Sequence, residues 1–204
     1  MSNSRRMTKS SMLRQAARTG RLVRFSRHFE ESRIHGYVLG VGPRFFLLAL
    51  VSDRIWFDGF ECFRIGDVLR LEPDPRAVFV ETALKKRRER LPRKPPVRLS
   101  SVGDLLLSAG REFPVVAIHR ERTNPHVCHI GSVVRLDRGR VSLLEINPDS
   151  SWDDEPTEYR LSEITRVSFG GDYENALTLV GGKPPAAKAR SRQTGARPTR
   201  RGRA

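Results

Sequence analysis

The sequence predicts a mainly β protein with short helices, built as two tandem five-stranded barrels. Three observations lead there. The pattern D-x-x-W-x-D occurs twice, as Asp53, Trp56, Asp58 and as Asp149, Trp152, Asp154, at a constant offset of 96, and it holds both tryptophans of the chain. At the same offset Arg64-Ile65-Gly66-Asp67-Val68-Leu69-Arg70-Leu71 aligns with Arg160-Leu161-Ser162-Glu163-Ile164-Thr165-Arg166-Val167. Upstream, Gly36, Val38, Val41 and Leu48 match Gly131, Val133, Leu136 and Leu143 at offset 95, and Val23–Arg27 matches Val116–Arg120 at offset 93. A period this long, with the rarest residue in register, implies two copies of one small unit. The three-residue drift should fall in turns, because an insertion inside a strand would flip its faces.

The elements follow in order. Residues 9–19 read as a helix with Met12, Leu13 and Ala16 on one side, stopped by Gly20. Strands are expected at 21–27 and 34–41, then a Gly42-Pro43 turn and the apolar run Phe45–Val51. The Trp56 loop leads to strands at Phe60–Phe63 and Val68–Leu71, and Asp74-Pro75 opens a helix reaching Arg90. Pro92, Pro95, Pro96 and the charge run mark residues 85–98 as an unpacked linker. Ser100 or Ser101 caps a helix through Ala109 that Gly110 ends. Strands near 114–120, 128–136, 140–146, 157–161 and 164–169 follow, then a helix over Tyr173–Val180. The division is a basic segment 1–20, a first repeat 21–84, a linker 85–98, a second repeat 99–182 and a disordered basic tail 183–204. Five bent strands in a short unit close into a small barrel, which removes the edges. Val38, Leu48, Val133 and Leu143 should lie in the core.

The net charge is +15, but segments 1–20, 85–98 and 183–204 carry +5, +7 and +8, leaving the repeat bodies acidic overall. Two cysteines, Cys62 and Cys128, give no disulfide framework and point to a reducing, cytoplasmic setting. No apolar run approaches the ~20 residues of a membrane helix. The Arg- and Ser-rich start has only a superficial likeness to a transit peptide.

The run Gly131-x-Val133-x-x-Leu136-Asp137-x-x-x-Val141-x-Leu143-x-x-Ile146 resembles the first motif of Sm-like proteins, and a generic SH3-like barrel fits the same pattern. Gly36 to Val51 is similar but has Gly42 in place of the Asp. The resemblance implies small barrels. It does not transfer that family's RNA pocket. Arg138-Gly139-Arg140 offers no Asn in the loop, and the second motif's Arg-Gly is replaced by Arg64-Ile65 and Arg160-Leu161.

Several residue groups are candidate sites. The Trp56 and Trp152 loops offer flat faces for a peptide, a base or a cation, and their flanking carboxylates favour a cationic partner. The alternative is that each Trp plugs a barrel end. Arg64, Asp67 and Arg70, repeated as Arg160, Glu163 and Arg166, could clamp a phosphate or carboxylate, or pair internally at a barrel corner. Lys85, Lys86, Arg87, Arg88 and Arg90, with Arg197, Arg200, Arg201 and Arg203, can release counterions from a phosphate backbone, or serve solubility alone. His119, His126, Cys128 and His129 are zinc-ligand types without a C-x-x-C pair, and no metal or cofactor is expected. No P-loop, G-x-S-x-G, G-x-G-x-x-G or H-E-x-x-H motif is present. The reading is a non-enzymatic interaction module associated with RNA or ribonucleoprotein through its basic segments. The rivals are a peptide-binding adaptor using the Trp loops and, further off, a metal-dependent enzyme.

Overall fold

The structure is a computed structural model that describes residues 7–30 and 32–185. Most of the basic tail, including Arg197, Arg200, Arg201 and Arg203, lies outside the described residues. The first half contains α1 (Lys9–Thr19), β1 (Leu22–Arg27), β2 (Ile34–Val41), β3 (Phe45–Val51), β4 (Phe57–Arg64), β5 (Val68–Pro73) and α2 (Ala77–Lys86). The second contains α3 (Val102–Glu112), β6 (Val116–His119), β7 (Cys128–Asp137), β8 (Arg140–Glu145), β9 (Thr157–Arg160), β10 (Arg166–Phe169) and α4 (Asp172–Gly181).

The ten strands of the described residues join one antiparallel sheet in the order β5-β1-β2-β3-β4-β10-β6-β7-β8-β9. Each half therefore runs fifth-first-second-third-fourth. The sheet does not close, which corrects the expectation of two closed barrels. β4 pairs with β10 of the other half, Arg166 opposite Phe63 and Phe169 opposite Phe60, instead of meeting β5 of its own half. β5 and β9 remain as the two edges.

Local signals explain the elements. Thr8 caps α1 by accepting from the Ser11 amide, and Gly20 ends it at φ +61°. Ser101 caps α3 by accepting from Asp104. Gly110 does not stop α3: it lies inside the helix, where an added Cβ would press on Val133. The glycine thus serves close helix–strand contact, not termination. Gly36 and Gly131 each lie against a carbonyl of the next strand, Ala49 and Leu144, so that a Cβ at either would strike backbone. Those two contacts share the offset of 95 seen in the sequence.

One core cluster crosses the junction. It joins Phe45, Leu47 and Cys62 of the first half to Leu105, Val116, Ile118, Val141, Leu143, Val167 and Phe169 of the second. Units of about 70 residues bury too little apolar surface to be secure alone, so a shared core is the physical solution. A second cluster packs Leu13, Phe25, Val38, Phe46, Leu48 and Phe63 within the first half. Val38, Leu48 and Leu143 are buried as expected. Val133 is only partly buried, because it faces α3 instead of the sheet interior.

The linker departs from expectation. Pro95 and Val97 are buried and Leu99 is partly so. Leu99 lies so close to Gly42 that a Cβ there would meet its carbonyl, and Gly40 faces Leu99 and Lys94. The amide of Arg98 donates to Ser108 Oγ at 2.9 Å. An extended Pro-rich strand needs no hydrogen bonds of its own, and alternate Val97 and Leu99 anchor it over β2. The charge run belongs to a different element. α2 ends at Lys86, short of Arg90, because Arg88 turns left-handed at φ +62°. The amides of Arg88 and Glu89 then close on the carbonyls of Lys85 and Leu84 at 3.0 and 2.9 Å, a helix ending usually made by glycine.

Candidate nucleic-acid interface

The loop from β3 to β4 carries Trp56. It is tightened by Ser52 N donating to Trp56 O at 3.0 Å and Ile55 N to Ser52 O at 2.9 Å. Ile55 sits at φ +61°, a costly conformation for a β-branched residue. The bond that secures it comes from the end of α2. Arg87 Nη1 donates to the carbonyls of Arg54 at 2.7 Å and Ile55 at 3.3 Å. The Trp56 ring lies within cation–π reach of two guanidinium groups, Arg54 at 5.6 Å and Arg87 at 6.0 Å. Lys85, Lys86, Arg88 and Arg90 are exposed on the same stretch of chain. The Trp loop and the basic run, assigned to rival functions from sequence, therefore meet.

Of the two carboxylates expected to flank the ring, Asp58 is engaged elsewhere. Asp58 accepts from the Asp172 amide at 2.8 Å, where it faces the positive end of α4. Trp152 sits at the same place in the strand order, between β8 and β9, but in different company. Its Nε1 donates to the Gly181 carbonyl at 3.1 Å, and it packs on the cluster of Val115, Ala117, Ile130, Ile146 and Leu177. Trp152 thus fastens α4 to the sheet. Asp149 accepts from Ser151, and Asp153 from Asn147 at 2.9 Å.

The arginine corners are occupied. Arg64 donates to the carbonyls of Ser162, at 3.0 Å, and Ile164 across the junction. Asp67 pairs with Arg122 of the other half. Glu163 pairs with Arg120 at 3.1 Å and with the exposed Arg160 at 3.8 Å. Arg70 pairs with Glu72 at 3.0 Å, and Arg166 with Glu61. Burial pushes the Glu61 carboxyl up, against the pull of Arg166. Sequence reading missed Arg27, whose buried side chain pairs with Glu30 and Glu121. Its guanidinium stacks on Phe63 at 4.7 Å, as Arg120 stacks on Tyr159 at 4.9 Å. The signal was present: Arg27 aligns with Arg120, and Phe63 with Tyr159, in the offsets already noted.

The histidine group separates. His129 contacts the Tyr159 hydroxyl at 2.8 Å and Glu145 at 3.1 Å, while His126 and Cys128 are exposed. Desolvation of the sulfur and the Glu174 carboxylate push the Cys128 thiol up, away from a reactive thiolate. Among the described residues no three His, Cys, Asp or Glu side chains gather as metal ligands.

His119 points to the Ser168 hydroxyl at 3.5 Å. Burial, helped by Arg166 and Arg27, lowers its pKa to about 3. A histidine depressed in the fold binds its proton first in the unfolded chain. Stability is therefore fully present above the unfolded value of about 6.5 and is lost as pH falls from there towards about 3. We expect this residue to steepen acid unfolding by up to about 1.4 kcal/mol per pH unit in that window. Urea midpoints of His119→Gln against pH should be flatter than wild type. Parallel curves would show that other groups set the acid limit.

Among the described residues no helix is long and apolar enough to cross a membrane. Comparison with protein-family models, curated proteins and solved structures gave no match.

Proposed function

We propose that this chain is a non-enzymatic single-stranded RNA-binding protein made of two Sm-like or SH3-like five-stranded units. The observation that carries the reading is the partly exposed Trp56 ring within cation–π reach of Arg54 and Arg87, on the same stretch of surface as exposed Lys85, Lys86 and Arg88. An aromatic face accepts any base by stacking, and clustered cations track the phosphates, so affinity needs no sequence readout. The basic tail 183–204 adds phosphate contacts without aromatic platforms. The two-unit part of the reading is supported by the common strand order and by the matched Arg27–Phe63 and Arg120–Tyr159 stacks. No cofactor enters the proposal. A peptide ligand suits this loop less, since two guanidinium groups stand within cation–π reach of the ring and would repel a cationic peptide.

The test is titration of mixed-sequence single-stranded RNA at several salt concentrations. Trp56→Ala should cost about 1–3 kcal/mol, the range for one stacked base. Replacing Lys85, Lys86 and Arg88 by Ala should weaken all sequences alike and flatten the slope of log affinity against log salt by about 0.7 per lost contact. Deleting 183–204 should flatten it further. Trp152→Ala should leave binding per folded molecule unchanged. Wild-type affinity and salt slope in both the Trp56 and the basic-run variants would sink the reading.

A further inference from the structure

The β4–β10 junction offers a template for what the two open edges do. β9 occupies the place of β4 in the strand order, and β5 that of β10. We infer that copies of this chain join head to tail, the β9 edge of one pairing antiparallel with the β5 edge of the next. This inference rests on the reading of the halves as two copies of one unit.

Four observations carry it. First, the β5 edge exposes apolar side chains whose counterparts the junction covers. Leu69 is 47 % exposed and Leu71 is only partly buried, whereas Thr165 and Val167, 96 residues on, are each 0 % exposed. At the junction the Thr165 carbonyl accepts from Arg64 N and Val167 pairs with Cys62, while the Thr165 hydroxyl is held within its own half by Glu121 and the His119 carbonyl. Second, an apolar groove runs beside this edge between α1 and the sheet, lined by Met12, Ala16, Arg21, Val23, Leu71 and Pro73. An open, apolar edge strand is a template for added chain.

Third, the β9 edge holds an unused copy of the junction's polar latch. Arg64 reaches across to the carbonyls of Ser162 and Ile164. Its counterpart Arg160 is 64 % exposed, and among the described residues its one ion-pair contact is to Glu163 at 3.8 Å. In the same register Arg160 would meet the carbonyls of Gly66 and Val68 of the next copy. Arg70 of that copy would lie opposite Tyr159, as Arg166 lies opposite Phe63. Phe63 is stacked by both Arg27 and Arg166, at 4.7 and 5.4 Å. Tyr159 is stacked by Arg120 alone among the described residues.

Fourth, the two ends are oppositely charged. Residues 147–159 hold Asp149, Asp153, Asp154, Glu155 and Glu158 with no Lys or Arg. The groove end presents Lys9, Arg14, Arg18 and Arg21, and the acid in its lining, Glu72, is already paired with Arg24, Arg33 and Arg70. Complementary ends steer association and select the head-to-tail orientation over edge pairing of like ends. A contact of this heterologous kind builds a ring when its rotation closes and a filament when it does not.

Sedimentation of the nuclease-treated full chain tests this. At low salt the wild type should run at a mass at least about twice that of one chain, and move towards one chain in high salt. Arg160→Glu should shift it to a single chain. So should Asp154→Lys with Glu155→Lys, which takes the 147–159 end from −5 to −1, and Arg14→Glu with Arg18→Glu, which takes the Lys9, Arg14, Arg18 and Arg21 end from +4 to zero. Mixing those last two proteins should restore a species of about two chains, because the unaltered end of each then meets the other, an outcome that misfolding or loss of bound RNA cannot produce. In wild type, amide hydrogen exchange should slow in β5 and β9 on association. A wild type that stays a single chain while β4 and β10 amides are protected overturns the head-to-tail pairing and leaves the two-unit reading intact. Fast exchange in β4 and β10 overturns both. Mixed variants that stay single chains also overturn the pairing.

Discussion

Replacing Arg27 by methionine should destabilise the protein by about 3–5 kcal/mol, the cost of breaking a buried ion pair from one side. The Arg27 side chain is fully buried, and it pairs with Glu30 and with Glu121, itself 6 % exposed. Burial alone would lower its pKa, but the hydrogen bonds and charges of the two carboxylates outweigh it and the net shift is upward. Its plane also covers Phe63. Methionine can replace the contact with the ring but not the charge, so the buried Glu121 would lose its partner cation and keep only the hydrogen bond from Thr165. The double variant Arg27→Met with Glu121→Gln should recover part of the loss, because the orphaned charge goes with it. Urea melts decide the matter. A single-variant loss below about 1 kcal/mol would mean that water reaches the pair.

Leu143→Ala should cost about 2–5 kcal/mol through lost transfer energy and a residual cavity, and Leu48→Ala a similar amount. Both are 0 % exposed. The two report on different things. Leu48 belongs to the cluster confined to the first half, whereas Leu143 lies in the cluster that includes Phe45, Leu47 and Cys62 across the junction. With that shared core and the continuous sheet, both variants should melt in one transition, followed alike by Trp56 and Trp152 fluorescence. Two separated transitions, with Leu143→Ala moving only the second, would show that the halves fold independently.

The strands, the Gly20 stop of α1, a cap at Ser100 or Ser101 and the doubled residue pattern were legible because each depends on near neighbours in sequence. Alternation marked β2, a continuous apolar run marked β3, and Gly36 and Gly131 matched because each must let a neighbouring carbonyl approach. The candidate site was legible only in pieces. Trp56 and Lys85–Arg90 stood out by rarity and charge, but nothing local said that Arg87 would fold back onto the Trp56 loop. The linker was misjudged because prolines and charges signal exposure on average, while Val97 and Leu99 find their partners far away in sequence.

By itself, then, the sequence determined most of the strands and helices, a residue pattern that recurs at offsets of 93 to 96, and where the cations cluster. Only the tertiary structure decided that the sheet stays open, that β4 joins β10, and that one tryptophan sits among arginines while the other fastens α4. The reason is physical. Strand formation follows side-chain pattern, but the choice of neighbour for an edge strand is made by backbone hydrogen bonds that almost any sequence can offer. What selects one neighbour is the fit of side chains from both halves, such as Cys62 against Val167 and Arg27 against Glu121, and that fit exists only once the chain has folded.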